Sequence, residues 1–270
     1  MGSPRRRAGE GPKRRGSDAS FEATRSPRPR RRTLVGALVA LLVLPGTASA
    51  AELRSGECCR SAASLQRRPA SDAALVGDLR YGNRGRAVVL LQRRLVKLRY
   101  LDRRRVDGIF GDMTWHAVVA LQGWEQIDRD GVVGPQTRRA LRRARVPHPW
   151  VRLRRALAID LTRQVLLVIE DRAVRRAVHV STGAAFPTPH GRFTVVRRVR
   201  ESWSRPYHLW LPYALYFHRG LAIHAFPLVP GKPASHGCIR VPTEDARFVF
   251  AAAPLGTPVL IRGAWRVAGR

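Results

Sequence analysis

The sequence predicts two folded domains in one chain of 270 residues, a small all-helical module followed by a mainly β domain. A D-G-x-x-G-x-x-T-x-x-A pattern begins at Asp107 and again at Asp130, 23 residues later, and each copy is typical of a tight turn leading into a helix. The segment Pro147-His148-Pro149 then ends the helical periodicity, and short β-rich runs follow it. We expect the helical module over 78–147 and the β domain over 152–262.

Residues 1–50 have the composition of a basic tail followed by a secretory signal. The apolar run Leu34–Leu44 is too short to span a bilayer, which takes about 20 residues. It is followed by the small-residue pattern A-S-A, which predicts cleavage after Ala50 and export of the protein. An uncleaved anchor is the alternative, and paired arginines at Arg31-Arg32 leave twin-arginine export open. Residues 51–77 read as a small, polar linker.

The formal net charge of +31 favours a polyanionic partner such as nucleic acid, an anionic membrane surface or an acidic wall polymer. The arginines are scattered along the chain, so an arginine-rich composition spread over solvated faces is the alternative. The sequence contains no zinc-ligand spacing, RNP-like aromatic run or basic zipper, and it therefore predicts no nucleic-acid module. An anionic membrane surface and an acidic wall polymer remain as polyanionic partners.

Three cysteines are too few and too unevenly spaced for a disulfide framework or a zinc site. Cys58 and Cys59 are adjacent in the linker, where they would be free thiols or an intermolecular link. Cys238 lies instead in a dense motif of polar residues. We predict no metal and no cofactor.

One apolar stripe predicts the first helix of the module, which opens near Gly85: Val88, Leu91, Leu95 and Leu98. The two D-G turns lead into the second and third helices, and Pro135 suits the first turn of the third. Together with Gln92 after Leu91 and Gln122 after Leu121, these features resemble the three-helix peptidoglycan-binding domain of wall enzymes. The resemblance implies binding to peptidoglycan glycan; a helical spacer is the alternative.

The β domain is predicted from short runs of β-branched and aromatic residues. A helix is expected to begin at Pro242 and to run towards Ala253. The predicted strands are Ala156–Asp160, Val165–Ile169, Val174–Val180, Arg192–Val196, Gly220–Ala225 and Pro258–Arg262.

The residues that we expect to act in catalysis lie between His224 and Arg240. A thiol has a pKa of about 8.5 and needs a nearby base to attack an acyl carbon rapidly. His236 shares a face with Cys238 on an extended segment, and His224 at the end of a preceding strand is the other candidate base. The N–H groups of Gly237 and Cys238 would form an oxyanion hole, and Arg240 would hold a carboxylate or brace the loop.

The motif that ends in S-H-G-C-I-R resembles the signature of the L,D-transpeptidase catalytic domain, and the resemblance covers 152–262. It implies that Cys238 is the nucleophile and that His224, oriented by the adjacent main-chain carbonyl, accepts and returns the proton. Ser235, His236 and Arg240 then belong to the supporting shell. Tyr213 and His218 are assigned to substrate contact. For His218, a packing role is the alternative.

The resemblance implies a cell-wall enzyme on the outer side of the cytoplasmic membrane, whose partners are peptidoglycan stem peptides and glycan. Its thiol would form a thioester with a donor stem, and the amine of a second stem would resolve it to a 3→3 cross-link. Three alternatives stay open: an L,D-carboxypeptidase that uses water instead of the amine, a non-catalytic wall-binding protein and, supported by charge alone, a nucleic-acid-binding protein.

Overall fold

The computed structural model describes residues 77–265. The predicted export signal, nearly all of the predicted linker, and Cys58 and Cys59 lie outside these residues. Within them, no helix combines the length and the apolar character that are needed to cross a membrane.

The first part of the described chain is a three-helix module. Its helices are α1, Arg86–Lys97, α2, Asp112–Trp124, and α3, Pro135–Arg143, with a single 3₁₀ turn at Arg103–Arg105. The glycines at 85, 111 and 134 precede the three α-helices, and the predicted helix starts are therefore confirmed.

A buried glutamine organises the first D-G turn of the module. Nε2 of Gln92 in α1 lies 2.8 Å from Asp107 Oδ1, 3.0 Å from the Ile109 carbonyl oxygen and 3.0 Å from Thr114 Oγ1, so three acceptors share its two N–H donors. Its Oε1 accepts the N–H of Gly108 at 2.9 Å. One fully buried amide thus satisfies the whole turn and the start of α2.

The second D-G turn repeats this arrangement one helix later. Nε2 of Gln122 in α2 lies 2.7 Å from Asp130 Oδ1, 3.0 Å from the Val132 carbonyl oxygen and 3.0 Å from Thr137 Oγ1, and these three acceptors again share two N–H donors. Its Oε1 accepts the N–H of Gly131 at 2.9 Å. The sequence repeat is therefore a repeat of one hydrogen-bonded unit.

The second part of the chain forms two β-sheets and one helix. The strands are β1, Arg155–Asp160, β2, Val165–Glu170, β3, Ala173–His179, β4, Gly191–Thr194, β5, Arg197–Ser204, β6, Leu209–His218, β7, Leu221–Ala225, β8, Ile239–Val241, and β9, Pro258–Arg262. A five-stranded sheet has the order β3-β2-β1-β9-β4, and a four-stranded sheet has the order β5-β6-β7-β8. The helix α4 is Thr243–Ala252.

The strands β1 and β2 of the five-stranded sheet are buried on both faces, which explains their nearly continuous apolar sequences. In β1, Ala156 and Ala158 pack in one core cluster with the helices of the module. Leu157 and Ile159, on the opposite face, pack in a second cluster with the four-stranded sheet and α4. The described chain is therefore layered as helices, sheet, and sheet with helix, and the first two layers share one core.

An ion network also joins the module to the β domain. Arg176 of β3 contacts Asp102 of the module at 2.8 Å and Asp245 of α4 at 3.0 Å. The Arg176 guanidinium stacks on the Phe248 ring, 4.7 Å from its centroid. These contacts add directional constraints to the shared apolar core.

Candidate active site

A cavity of about 620 Å³ opens on one face of the four-stranded sheet. Each strand contributes to it: Arg197 from β5, Tyr216 from β6, His224 from β7 and Arg240 from β8. The thiol of Cys238, just before β8, also lines this cavity.

The parallel pairing of β7 with β8 brings the predicted chemical groups together. His224 lies opposite Arg240 in the register, so the two side chains share a face of the sheet. Cys238 precedes Arg240 by two residues and lines the same cavity. Residues 14 positions apart in sequence thereby meet at one edge of the sheet.

The imidazole of His224 has a defined tautomer. Its Nδ1 lies 2.8 Å from the carbonyl oxygen of Ala225, which can only accept, so Nδ1 carries the proton and Nε2 carries the lone pair. Burial lowers the pKa of His224 to about 4; the positive charge of Arg240 acts in the same direction, and the Ala225 hydrogen bond opposes it. The ring is therefore neutral near pH 7.

The thiol of Cys238 is half-buried and is protonated in the resting site. Burial raises its pKa, while the backbone of Ala222 and the charge of Arg240 act in the opposite direction. Within residues 77–265, no hydrogen bond joins this thiol to the ring of His224. The resting pair is a neutral thiol beside a neutral base.

The loop before Cys238 is fixed by its own side chains. Ser235 Oγ donates to the Cys238 carbonyl and accepts the N–H of Gly237 at 3.1 Å. Gly237 has φ +114°, a conformation that favours glycine, and a Cβ there would also lie in a tight contact, 3.1 Å from Leu221 Cδ2. Because its N–H is engaged by Ser235, Gly237 supports the loop and offers no free oxyanion donor in this conformation.

A second segment, Ser181–Thr188, supports the same loop. The backbone groups of Ser181 and Arg240 exchange two hydrogen bonds, 3.0 and 2.9 Å long. Thr188 Oγ1 accepts the Gly183 N–H at 2.9 Å and donates to the Gly237 carbonyl at 2.8 Å. These bonds give a physical role to the S-T-G…T-P segment that precedes β4.

The remaining predicted site residues divide into two groups. His236 lines the cavity, but it is exposed and stacks on Tyr207 with ring centroids 4.9 Å apart. The predicted substrate contacts Tyr213 and His218 do not line the cavity that contains Cys238. Tyr213 packs with the core between the sheets, and the His218 ring lies 5.0 Å from that of Phe193. The structure thus places both residues outside the cavity that contains the thiol, and their assignment to substrate contact stays a prediction.

Sequence reasoning missed the opposite wall of the cavity, which the β5–β6 hairpin provides. Its aromatic and basic side chains are Arg197, Trp203, Arg205, Tyr207 and Tyr216. The one available signal in the sequence was the turn Arg205-Pro206-Tyr207 between two tryptophans, Trp203 and Trp210. The aromatic side chains of this segment are exposed in the structure, and exposed aromatic side chains mark binding surfaces.

The site is built from a thiol, imidazoles and guanidiniums. Among residues 77–265, no group of three or more His, Cys, Asp or Glu side chains is arranged to hold a metal ion. The arrangement suits acyl transfer to sulfur, with the imidazole as the proton acceptor.

Comparison with known families identifies both parts of the chain. The family model described as the L,D-transpeptidase catalytic domain matches residues 154–261. The model of a peptidoglycan binding domain matches residues 84–141. A crystal structure of an L,D-transpeptidase, residues 123–326, from Xylanimonas cellulosilytica is 34% identical, with a TM-score of 0.65. The alignment covers 68% of this chain and 97% of that chain.

Two curated proteins match shorter stretches. A probable L,D-transpeptidase 3 of Mycobacterium tuberculosis is 33% identical over 94 residues, which is 28% of this chain and 35% of the relative. A probable N-acetylmuramoyl-L-alanine amidase of Bacillus licheniformis is 42% identical over 82 residues, which is 30% of this chain and 22% of the relative. The chain thus spans about a third or less of the curated relatives that it matches.

Proposed function

Because the chain belongs to the L,D-transpeptidase family and carries a peptidoglycan-binding domain, we propose that it cross-links peptidoglycan through a thioester on Cys238. The donor would be a tetrapeptide stem whose third residue is a diamino acid. The product would be a 3→3 cross-link between two stems.

One observation supports this proposal above the others. The Nε2 lone pair of His224, with its tautomer fixed by Ala225, belongs to the same cavity as the thiol of Cys238. A nucleophile and an oriented base on one face of a sheet form the minimal unit for covalent acyl transfer.

Acylation would proceed from the neutral pair. As Cys238 Sγ attacks the carbonyl carbon of the third stem residue, Nε2 of His224 takes the thiol proton. The tetrahedral intermediate collapses, the bond to D-Ala breaks, and the imidazolium returns the proton to the leaving amine. The N–H of Cys238 is the proposed oxyanion donor, because the N–H of Gly237 is engaged by Ser235.

Resolution of the thioester uses the same base. The side-chain amine of a second stem attacks the thioester carbonyl, gives a proton to His224, and releases the Cys238 thiol. If water attacks instead, the product is a tripeptide, and the protein is an L,D-carboxypeptidase.

The helical module and the export signal complete the proposal. The module would keep the enzyme on its insoluble substrate and raise the local concentration of stems. The protein would act in the cell wall, outside the cytoplasmic membrane, and its net charge of +31 would favour retention by anionic wall polymers.

The experiment is mass spectrometry of products formed by residues 51–270 from a disaccharide-tetrapeptide, beside Cys238→Ala. We expect a dimer that lacks one D-Ala with the wild-type protein and no dimer with the variant. Tripeptide alone would reassign the activity to a carboxypeptidase. If both proteins left the substrate intact, the catalytic proposal would be wrong, and wall binding without catalysis would replace it.

A further inference from the structure

We propose that Arg197 and Arg240 bind two carboxylates of one stem peptide, so that the protein selects donors with a free carboxylate on the second stem residue over amidated donors. This inference rests on the proposed function, since it concerns the peptide that Cys238 would attack. It assigns to Arg197 a specificity role that the catalytic motif does not contain.

The charge of the cavity supports this selectivity. Its lining includes no aspartate or glutamate from the described part of the chain. It includes four arginines, none of which forms a salt bridge within residues 77–265: Arg197, Arg205, Arg219 and Arg240. Clustered guanidiniums without counter-charges favour an anionic ligand.

Two of these guanidiniums are held in place by aromatic rings. Arg197 lies over Tyr216 with its Cζ 3.7 Å from the ring centroid, and Arg240 lies over Phe226 at 4.1 Å. Stacking orients the guanidinium and leaves the in-plane N–H groups available for a carboxylate. A pre-oriented donor loses less side-chain entropy when it binds, which strengthens the interaction.

The placement of the two arginines is compatible with two carboxylates on one peptide. They lie on the outer strands, β5 and β8, which are three strand spacings or about 14 Å apart at the backbone. The second and fourth residues of an extended peptide are about 7 Å apart, and both long side chains reach into the same cavity, which shortens the distance between the two guanidiniums. Arg240, two residues after Cys238, would bind the terminal carboxylate of D-Ala, and Arg197 would bind the carboxylate of the second stem residue.

The test is equilibrium binding of two disaccharide-tetrapeptides that differ only in a carboxylate or carboxamide on the second residue. Calorimetry with Cys238→Ala measures binding without turnover. We expect the carboxylate form to bind about tenfold more tightly, as one charge-assisted hydrogen-bond pair predicts. Arg197→Gln should remove this difference by weakening the carboxylate form alone.

The matched control is Arg192→Gln, an exposed arginine on β4 outside the cavity, which should keep the tenfold preference. Equal affinities for the two peptides, or a preference that survives Arg197→Gln, would overturn the inference. The product assay above stands apart from this result: cross-linked dimer without carboxylate preference would sustain the proposed function and remove only the selectivity.

Discussion

The Nε2 lone pair of His224 determines how the site should respond to acid. Burial and the Arg240 charge keep the pKa of this ring at about 4, against an ordinary value near 6.5. The base therefore stays unprotonated across the range in which a free histidine would gain its proton.

We expect the kcat/KM for the tetrapeptide donor to stay level between pH 7 and pH 5 and to fall only as pH approaches 4. Arg240→Gln should move this acid limb to higher pH, because it removes a charge that disfavours imidazolium, whereas Arg240→Lys should leave it in place. Initial rates at each pH, with circular dichroism as a check on folding, measure the effect. An acid limb at pH 6.5 in the wild-type protein would contradict the assigned pKa direction.

Local sequence was sufficient to predict one half of the site. Cys238, His224 and Ser235 belong to one motif, and their types and spacing indicated thiol chemistry before any contact was known. The wall that Tyr207 and Tyr216 supply depends on hairpin pairing some 30 residues away, and no local pattern encodes it.

Tyr213 shows why the side-chain packing of β6 could not be predicted from its sequence. Its φ of +54° interrupts the alternation of β6, so that Leu211 shares a cluster with Ala214 and Tyr216. Tyr213 itself packs into the core between the sheets, beside Phe250. A positive φ at a tyrosine is rare, and the sequence gives no sign of it.

Among the elements, the two D-G turns can be tested against each other, because Gln92 and Gln122 have equivalent hydrogen-bond partners. Gln92→Leu and Gln122→Leu should each lower the free energy of unfolding by about 3 kcal/mol, because each leaves a glycine N–H without a partner and removes one hydrogen-bond donor from a carboxylate and from a carbonyl. The exposed Gln136→Leu is the matched control. Urea denaturation of the three variants measures the losses, and a large difference between the two buried sites would mean that the turns are not equivalent.

The strands β5, β6 and β8 were not predicted, and β6 and β8 show two different reasons. β6 contains Pro212, which argues against a central strand. In the structure, β7 pairs with β6 only from Leu215 onward, so Pro212 faces no partner on that side and its missing N–H is tolerated. β8 has three residues, too few for a sequence pattern, and its pairings with β7 and with Ser181 define it as a strand.

At the scale of the whole molecule, a pair of histidines, the half-buried His116 and the buried His179, joins the module to the β domain. His179 of β3 binds the Pro230 carbonyl through Nε2 at 3.1 Å, so that Nε2 carries the proton. His179 Nδ1 must then accept from His116 Nδ1 of α2, 3.0 Å away. The groups facing this pair are Asp112, Arg129 and Trp115.

Burial lowers the pKa of His116 to about 4 and that of His179 well below its usual value. Both rings fold in the neutral form, so their contribution to stability is complete above pH 6.5 and is lost as pH falls towards 4. For His116 alone, the loss is about 3 kcal/mol at roughly 1.4 kcal/mol per pKa unit.

We therefore expect Tm to fall steeply between pH 6.5 and pH 4. His116→Asn, which keeps an N–H donor without a titrating ring, should reduce this slope. The exposed His148→Asn should retain the full slope. Calorimetric scans across this range make the comparison, and identical slopes for His116→Asn and wild type would show that the histidine pair is not responsible.

The core that the helices share with the five-stranded sheet has a geometric consequence. A binding module on a flexible linker explores a volume, and its partner domain acts wherever the linker reaches. A module that is packed into the same core as the catalytic sheet keeps one separation and one orientation relative to the thiol. On a polymer with a regular repeat, such a protein would modify stems at a fixed distance from the glycan unit to which its module binds.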